Sequence, residues 1–476
     1  MNNYQIKIDK LTAILEDQEI ALGLRRKRRT AEAKTVFNKA IYWLVTEGLN
    51  AKIGNRKGTF SVSRNKNHYA KENPDRTGLV PSGLSYSTAI CDQRNSTGAL
   101  ESLILNDYLK LEKGGHYNRS GDQSKSAATK YSATEKLIKF FGDDQIQSLF
   151  VPMPRRETII LKGASVDPKI SGDIALRSYK DTPQTTKMRE NLDLINKNML
   201  RHWYDLYIAD ETYRLMQKEI AQRRARRLSD REKLQSMNLA NRTLRRVFAR
   251  GSFEKGGRFY GGWWQNIPSA YRSVITINGY RTVEADYSQF HPNILYHLKQ
   301  AKLDGRDAYE RIIGSEYRDL AKQIFNACLN SAYETSRPPK GLKISHTGFK
   351  WREIIEHLFK AHPKIEDAFF TDEGMKLQYY DSQMAELVLL SFAKGKRPIL
   401  PVHDSFLVLE DDEELLLERM EAAYQQILGE DIKIDIKKAK LVQLPPSEDN
   451  VFEDVMAYSG WLNRNDDADA YYGRQI

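Results

Sequence analysis

The sequence has few of the features that mark secreted, membrane-spanning or disulfide-stabilised proteins. Only two cysteines, Cys91 and Cys328, occur in 476 residues, which excludes a disulfide scaffold and a cysteine-based zinc site and fits a reducing cytosol. No run of about 18 apolar residues is present, so we expect no transmembrane helix and no membrane partner. The first twenty residues carry acids and lack an apolar segment, so we expect no secretory signal and a cytoplasmic location.

Positive charge is abundant but unevenly placed. Lys and Arg number 74 against 63 Asp and Glu, a net charge of +11. Residues 1–270 hold 48 basic and 29 acidic residues, whereas residues 271–476 hold 26 basic and 34 acidic ones. A strongly basic half of a chain is typical of proteins that bind polyanions such as nucleic acids. A soluble domain with a charged surface is the alternative.

Residues 1–150 are expected to form a basic N-terminal module that binds nucleic acid. Residues 25–29 are all Arg or Lys, which indicates either a solvated helix face or a phosphate site. Over residues 97–140 we predict a helix and then two strands joined by a basic loop, with the second strand in YSATEKLIKFF. This order resembles a winged helix, in which the wing contacts phosphate. A small α+β packing module is the alternative.

Residues 151–270 are expected to form a basic, helical, thumb-like connecting region. The 3.6-residue periodicity predicts helix over residues 181–250, including the segment that contains Arg245 and Arg246. Arginines interleaved with aromatic residues suit a nucleic-acid backbone. Arg258 and Tyr260 follow in GGRFYGGWWQ, where the aromatic residues could stack on bases or the Trp pair could lie in a core.

From residue 271 the pattern changes to a mixed α+β fold. Two strand-like segments flank a turn at Asn278-Gly279. Two more flank Val402-His403-Asp404-Ser405. An amphipathic helix and another alternating strand then follow. Residues 447–476 are acidic and polar, and we interpret them as a tail.

Two carboxylates have the positions that metal chemistry requires. Asp286 ends a strand-like segment, and Asp404 lies at the tip of the second predicted hairpin. Hard cations such as Mg²⁺ prefer oxygen ligands, so two such groups brought together could hold two ions. For each residue alone, a turn-capping Asp is the alternative. Between them, Arg318 and Lys322 are four residues apart and share one helix face, which could neutralise a triphosphate.

Three segments resemble polymerase motifs A, B and C in their usual order. ADYSQFHPNILYHL (285–298) resembles motif A of family A DNA polymerases, and Arg318 with Lys322 resembles the start of motif B. PVHDSFLVLEDDEE (401–414), with the helix after it and the strand in DIKIDIKKAK, resembles motif C and the end of the palm. His-Asp-Ser-Phe is closer to bacteriophage-type single-subunit RNA polymerases, which have Ser where family A DNA polymerases have Glu. GGRFYGG is similar to a Gly-Arg-x-Tyr element upstream of their palm.

The resemblance implies an α+β right-hand polymerase palm over residues 271–446, with short helical fingers inserted at about 300–375. Asp286 and Asp404 would be the catalytic metal ligands for two Mg²⁺ ions, or Mn²⁺, with the carbonyl of Tyr287 as a further ligand within the nucleotide site. Arg318 and Lys322 would bind the phosphates of the incoming nucleotide, and Lys322 would also protonate the leaving group. Arg245, Arg246, Arg258, Tyr260 and His403 would lie along the primer and template.

The nucleotide pocket departs from the family pattern. Five residues past Asp286, family A DNA polymerases have the Glu that excludes the ribose 2′-OH, and this chain has His291 followed by Pro292. That pair is similar to the Tyr-Pro of family B polymerases. In motif B, Asn326 and Asn330 take the positions of two expected aromatic residues, and Ser331 replaces a Gly. The resemblance therefore does not fix the choice of sugar.

We expect a template-directed nucleotidyltransferase that uses DNA template, primer and nucleoside triphosphates. The favoured form is a monomeric DNA polymerase or primase-polymerase of a mobile element, a phage or a plasmid, because the bulky His291 favours deoxynucleotides. The first alternative keeps the fold but makes RNA, which His-Asp-Ser-Phe supports. The second alternative is a non-catalytic replication initiator that binds DNA through the basic half of the chain.

Overall fold

The computed structural model describes residues 3–53, 59–61, 93–114, 129–141, 158–163, 176–177, 179–227, 241–339, 341–438, 455–457 and 459. Within them, helices and strands surround two separate hydrophobic cores. The chain is therefore a mixed α+β protein, as its sequence predicts. Of the helices in these residues, none has both the length and the apolar character to cross a lipid bilayer.

In the described residues, the N-terminal core joins four helices to a small antiparallel sheet. Its helices are α1 Asn3–Ala21, α2 Ala31–Ile53, α3 Gln93–Leu105 and α4 Glu135–Phe141. Its strands are β1 Thr59–Ser61, β2 Leu109–Lys113 and β3 Lys130–Ala133, in the order β1-β3-β2. The basic loop expected between β2 and β3 lies outside the described residues at 115–128.

The strand predicted in YSATEKLIKFF is only partly correct. Strand β3 ends at Ala133, and helix α4 takes the rest of the segment. Thr134 separates them, and its Oγ1 accepts a hydrogen bond from the amide of Leu137 at 3.3 Å. A threonine that satisfies a free amide in the first helical turn is a favourable start for a helix.

The basic residues at 25–29 are partly neutralised within the fold. Arg29 has a side chain only 8 % exposed, and it pairs with Glu19 at 2.7 Å and Glu16 at 3.6 Å. Arg25 also pairs with Glu19 at 3.2 Å, and Arg28 pairs with an acid of α1 at 2.8 Å. These three arginines therefore hold the α1–α2 connection to α1, which favours a structural role for them over a phosphate site.

The larger core is built on two sheets. The first has the order β11-β12-β10-β9-β6, with β13 also paired to β10, and the second has the order β5-β4-β7-β8. The strands of the first are β6 Tyr204–Leu206, β9 Ile275–Ile277, β10 Tyr280–Tyr287, β11 Leu400–Val402, β12 Ser405–Leu409 and β13 Ile434–Lys438. The strands of the second are β4 Ile159–Lys162, β5 Leu176–Arg177, β7 Arg245–Ala249 and β8 Ser252–Tyr260.

The helices of the larger core are α5 Pro183–Met199, α6 Asp210–Arg227, α7 Phe290–Leu298, α8 Glu310–Ile313, α9 Arg318–Asn330, α10 Trp351–Ala361, α11 Gly374–Lys394 and α12 Glu413–Leu428. Helices α7 and α12 contact each other, and α12 covers β10 and β12. The hydroxyl of Tyr287 on β10 donates to the carbonyl of Met420 on α12 at 2.7 Å. One face of the first sheet is thus buried.

Both predicted hairpins are confirmed. Asn278 and Gly279 join β9 to β10 with φ angles of 53° and 79°, the left-handed pair that a type I′ turn requires. The helical prediction for residues 181–250 is wrong at β6 and β7. Strand β6 pairs with β9 of the first sheet, so the boundary expected at residue 270 is crossed by a β-ladder.

Three arginine–carboxylate pairs connect the β7–β8 hairpin to the region of α11. They are Arg246–Glu386, Arg250–Asp372 and Arg258–Asp381. We call this set the hairpin clamp. The Trp pair that follows β8 is buried, with Trp263 1 % and Trp264 0 % exposed, so the core interpretation of these two residues is correct.

Candidate active site

Asp286 lies at the end of the central strand of the first sheet. Its neighbours across the two ladders are Ser405 on β12 and Asp435 on β13, so the three residues share one face of the sheet. Its Oδ2 accepts a hydrogen bond from Lys437 Nζ at 3.2 Å. Its Oδ1 is buried and has no hydrogen-bond partner in the described part of the chain. The strand therefore holds a carboxylate rigidly, with one oxygen unused.

Asp404 lies at the tip of the β11–β12 hairpin. The loop consists of His403 and Asp404 alone, because Val402 pairs directly with Ser405. His403 has a φ angle of 61°, a left-handed conformation that costs a residue other than Gly about 1–2 kcal/mol. The carbonyl of Asp404 accepts a hydrogen bond from the amide of Tyr287 at 3.5 Å. The hairpin thus brings the two candidate metal ligands, Asp286 and Asp404, together.

The electrostatics of the two carboxylates agree with this proximity. Burial and, next, the charge of Asp404 raise the pKa of Asp286, Lys437 opposes both effects, and the resulting pKa is about 6. Two carboxylates in a partly buried site repel each other, so a cation between them would be stabilised.

Arg318 and Lys322 lie on α9 and face one buried tyrosine. The Arg318 guanidinium carbon lies 5.5 Å from the ring centroid of Tyr309, and Lys322 Nζ lies 5.8 Å from it. Burial raises the pKa of this phenol, followed by the charge of Asp404. Tyr309 therefore lies between the two cations and the carboxylates. The sequence reasoning missed it, because a Tyr beside a short helix has no distinctive spacing.

The two cations differ in their partners. Arg318 donates to Asp307 Oδ2 from Nε at 3.0 Å and from Nη2 at 2.8 Å. Its side chain is still 38 % exposed, so the guanidinium is oriented by Asp307 but remains accessible to solvent. Lys322 is exposed. Both residues are placed where phosphate oxygens could reach them.

His291 and the two asparagines of α9 lie on the same side of the site. His291 Nδ1 is 3.3 Å from Asn326 Oδ1, and its Nε2 is 3.3 Å from Arg258 Nη2. Asn330 has an exposed side chain that donates to the carbonyl of Asn326 at 2.7 Å. Asn326 thus contacts the candidate sugar-selecting residue, whereas Asn330 closes the end of its own helix.

Strand β8 brings an aromatic residue to the hairpin tip. The rings of Tyr260 and His403 meet edge to face, with centroids 5.6 Å apart. Arg245 on β7 lies opposite Tyr260, so these side chains share a face of the second sheet. Burial, followed by the charge of Arg258, lowers the pKa of His403 to about 4. His403 is therefore neutral at physiological pH.

The prediction that Arg246 contacts a primer or template is wrong. Its side chain is fully buried and pairs with Glu386 at 2.6 Å. It also donates to the carbonyl of Gly257 at 3.0 Å and to Ser382 Oγ at 3.2 Å. Alternation along β7 explains the difference from Arg245, since adjacent residues of a strand point to opposite faces.

Ser405 has a carboxylate beside it, although it replaces the Glu that family A DNA polymerases have at this position of motif C. Its Oγ donates to Glu284 Oε1 at 2.8 Å, and Arg272 Nη1 pairs with the same oxygen at 2.5 Å. Glu284 precedes Asp286 by two residues on β10, so both project from one face. The alternation of Glu284 and Asp286 along the strand is the sequence signal that could have identified Glu284 as a neighbour of the site.

The donor set suits a hard cation only in part. Across the described ranges, no group of three or more His, Cys, Asp or Glu side chains is arranged to hold a metal ion. Two carboxylates and a backbone carbonyl remain, and the unused Oδ1 of Asp286 is the kind of oxygen that Mg²⁺ takes. Mg²⁺ keeps several waters and binds through one or two carboxylates plus substrate phosphates. The residues therefore fit ions that arrive with a nucleotide.

Comparisons with known proteins give only a distant structural likeness. No protein-family model matches the chain, and no curated protein matches it. Among solved structures, the chain is similar to the POL domain of Pol1 from M. smegmatis, in complex with DNA primer-template and dNTP. The identity is 15 % and the TM-score is 0.28, and the match covers 41 % of this chain and 47 % of that chain. The chain thus spans less than half the length of the structure it matches.

The raised pKa of Asp286 predicts that its charge destabilises the protein when no divalent ion is bound. The folded-state pKa of about 6 exceeds the ordinary value of 3.8, so this group stabilises the fold below pH 3.8 and loses that contribution as the pH rises through 6. In EDTA at pH 7.5, Asp286→Asn should therefore raise the free energy of unfolding by about 1–3 kcal/mol. Denaturant titration measures it.

The increase in the free energy of unfolding from Asp286→Asn should disappear at pH 4, where the wild-type carboxyl is largely protonated. Asp367→Asn is the matched control, because Asp367 is exposed and its ion-pair partner is a surface lysine, Lys299, at 2.5 Å. The control should change the unfolding free energy by less than about 0.5 kcal/mol at either pH. A loss of stability in Asp286→Asn at pH 7.5 would contradict the electrostatic account.

Proposed function

We propose that the protein is a template-directed nucleotidyltransferase that extends a primer 3′-OH with nucleoside triphosphates. One observation carries the proposal: the β11–β12 hairpin sets Asp404 of the motif C-like segment beside Asp286 of the motif A-like segment. These two segments are more than one hundred residues apart in the sequence. Their meeting is what the resemblance to polymerase motifs requires of a working site.

The residues of the site have distinct proposed roles. Asp286 and Asp404 would hold two Mg²⁺ ions, with the carbonyl of Tyr287 as a further ligand. When bound, these ions would lower the pKa of the primer 3′-OH and stabilise the leaving pyrophosphate. Arg318 would bind nucleotide phosphates through its oriented fork, and Lys322 would bind them and protonate the leaving group.

The primer side of the site would be formed by β8 and the hairpin tip. Tyr260 packs against His403, and Arg245 lies opposite Tyr260. A neutral His403 and a tyrosine form an uncharged surface that suits a primer terminus next to a cluster of charges. The N-terminal module, with helix α3 and the β1-β3-β2 sheet, would bind DNA in the manner of a winged helix.

Primer extension tests the proposal. With single-stranded DNA template, a labelled primer, Mg²⁺ and the four deoxynucleotides, we expect products whose sequence follows the template. Reactions without primer separate a primase-polymerase from a polymerase. Absence of any product with Mg²⁺ or Mn²⁺, from either class of nucleotide, would rule out the enzyme and favour a non-catalytic DNA-binding initiator.

RNA synthesis is the second candidate, and motif C favours it. Ser405 stands where the RNA polymerases have Ser, and its hydroxyl is used in the fold to bond Glu284. A wild-type enzyme that prefers ribonucleotides on the same template would establish this candidate in place of DNA synthesis.

His291→Ala should weaken the exclusion of ribonucleotides. The imidazole lies between Arg258 and Asn326 at the position where polymerases select the sugar. Removing it opens space for a 2′-OH, so the ratio of kcat/KM for deoxy- over ribonucleotides should fall by about 10- to 200-fold. Single-nucleotide incorporation kinetics measure this ratio. An unchanged ratio would remove His291 from sugar selection.

A further inference from the structure

Arg258 connects a buried carboxylate to the sugar-selecting residue. Its Nε donates to Asp381 Oδ2 on α11, and its Nη2 lies 3.3 Å from His291 Nε2 on α7. Asp381 is only 2 % exposed. Arg258 therefore connects the buried Asp381, in the middle of helix α11, to the ring of His291.

These contacts determine which of the two ring nitrogens of His291 carries the proton. A guanidinium only donates hydrogen bonds, so Nε2 must accept from Arg258 and must carry no proton. A neutral ring then has its proton on Nδ1, which requires an acceptor. Asn326 Oδ1 lies 3.3 Å from Nδ1 and is an acceptor. One tautomer alone satisfies both edges of the ring.

The ring of His291 is also restrained by its surroundings. It stacks on Phe290 with centroids 6.3 Å apart and planes 27° apart. Burial, followed by the charge of Arg258, lowers its pKa to about 4, which agrees with a neutral imidazole. The two edges and one face of the ring are thus held by residues of three elements, β8, α7 and α9.

We propose that Arg258 and Asp381 are positioning residues that fix the ring of His291 and thereby determine the choice between deoxy- and ribonucleotides. The proposal rests on the proposed function and adds the residues that control its sugar specificity. Asp381 orients the guanidinium of Arg258 by accepting a hydrogen bond from its Nε, and the guanidinium holds Nε2 of His291 in place by donating to it. A ring without this support could turn away from the 2′ position and admit a hydroxyl.

Kinetics of three variants test the proposal. Arg258→Lys keeps the charge but cannot reach Asp381 and His291 with one fork. Asp381→Ala removes the support of the guanidinium. For both, we expect the deoxy- over ribonucleotide ratio of kcat/KM to fall at least about tenfold. Asp381→Asn keeps an oxygen that accepts from Arg258 Nε, so it should recover most of the wild-type ratio.

The control variant breaks a different pair of the hairpin clamp. Asp372→Ala removes the partner of Arg250, which it binds at 3.0 and 3.1 Å. This pair joins the turn of the same β7–β8 hairpin to the segment just before α11, and it is not part of the chain of contacts from Asp381 through Arg258 to His291. The control should lower stability and leave the sugar ratio unchanged. An equal loss of both nucleotide activities in Arg258→Lys, with the ratio unchanged, would overturn the proposal and indicate a direct primer contact.

Nitrogen-15 NMR of histidine-labelled full-length protein gives a readout independent of activity. The His291 signal, assigned by its absence in His291→Gln, should show a protonated Nδ1 and an unprotonated Nε2 in the wild type. Arg258→Lys and Asp381→Ala should produce a mixture of tautomers, whereas Asp372→Ala should not. A single unchanged tautomer in all variants would overturn the positioning role. Failure of the wild type to extend any primer would instead overturn the proposed function and the sugar role with it.

Discussion

Asp404→Asn should lower the rate of primer extension about a thousandfold or more while leaving DNA binding largely intact. A metal ligand contributes several kcal/mol of charge stabilisation to the transition state, and each 1.36 kcal/mol corresponds to about a tenfold change in rate. The substitution keeps the shape of the side chain. Asp404 lies in a two-residue loop whose closure depends on the backbone pairing of Val402 and Ser405, so the hairpin should remain formed.

Asp411→Asn is the matched control for this experiment. Asp411 is exposed in the short helix Glu410–Asp412 that follows β12, so the variant removes the same charge from the far end of the same strand. It should extend primers at the wild-type rate. Gel-shift titrations in EDTA separate binding from chemistry. Normal extension by Asp404→Asn would reject the assignment of this hairpin as a catalytic element.

Glu386→Leu should destabilise the protein by about 3–5 kcal/mol. Its partner Arg246 is fully buried, and burial lowers the pKa of this guanidinium. Among the described residues, removal of the carboxylate leaves the charge with two neutral hydrogen-bond partners, the carbonyl of Gly257 and the hydroxyl of Ser382. An uncompensated charge in a protein interior is one of the few single changes with an effect this large. Urea denaturation measures it.

Two companion variants decide whether the buried charge is the cause. Arg246→Met combined with Glu386→Leu removes both charges and should recover most of the lost stability. Arg352→Ala breaks an exposed pair with Glu356 at 3.2 Å and should cost less than about 0.5 kcal/mol. If the double variant were no more stable than Glu386→Leu, lost packing rather than charge would explain the effect.

Sequence reasoning succeeded where a local pattern determines the structure. The turn at Asn278 and Gly279 needs two left-handed residues, and Asn and Gly accept that conformation most readily. The hairpin of Val402 and Ser405 has β-branched residues on both sides of the polar pair His403 and Asp404. At both places, strand-forming residues flank residues that favour a turn, so both hairpins could be predicted.

Sequence reasoning failed where a distant partner determines the structure. Arg245 and Arg246 belong to a basic segment that was predicted to be helical, yet they form strand β7, in which Arg246 pairs with the distant Glu386 of α11. Asp381 is a buried carboxylate within helix α11, and its partner Arg258 is 123 residues away in the sequence. A single sequence contains no local sign of such a pairing. The sequence could therefore suggest the carboxylates and cations of the candidate site, but it could not suggest the buried residues that contact them.

The β-ladders of the first sheet have a consequence for protein synthesis. Its strands come from β6 near residue 204 to β13 near residue 438, so most of the chain must leave the ribosome before the sheet is complete. Until β12 and β13 are made, both edges of β10 lack the partners that flank Asp286. Unpaired strand edges favour aggregation. Folding of this protein should therefore depend on chaperones that shield the nascent chain.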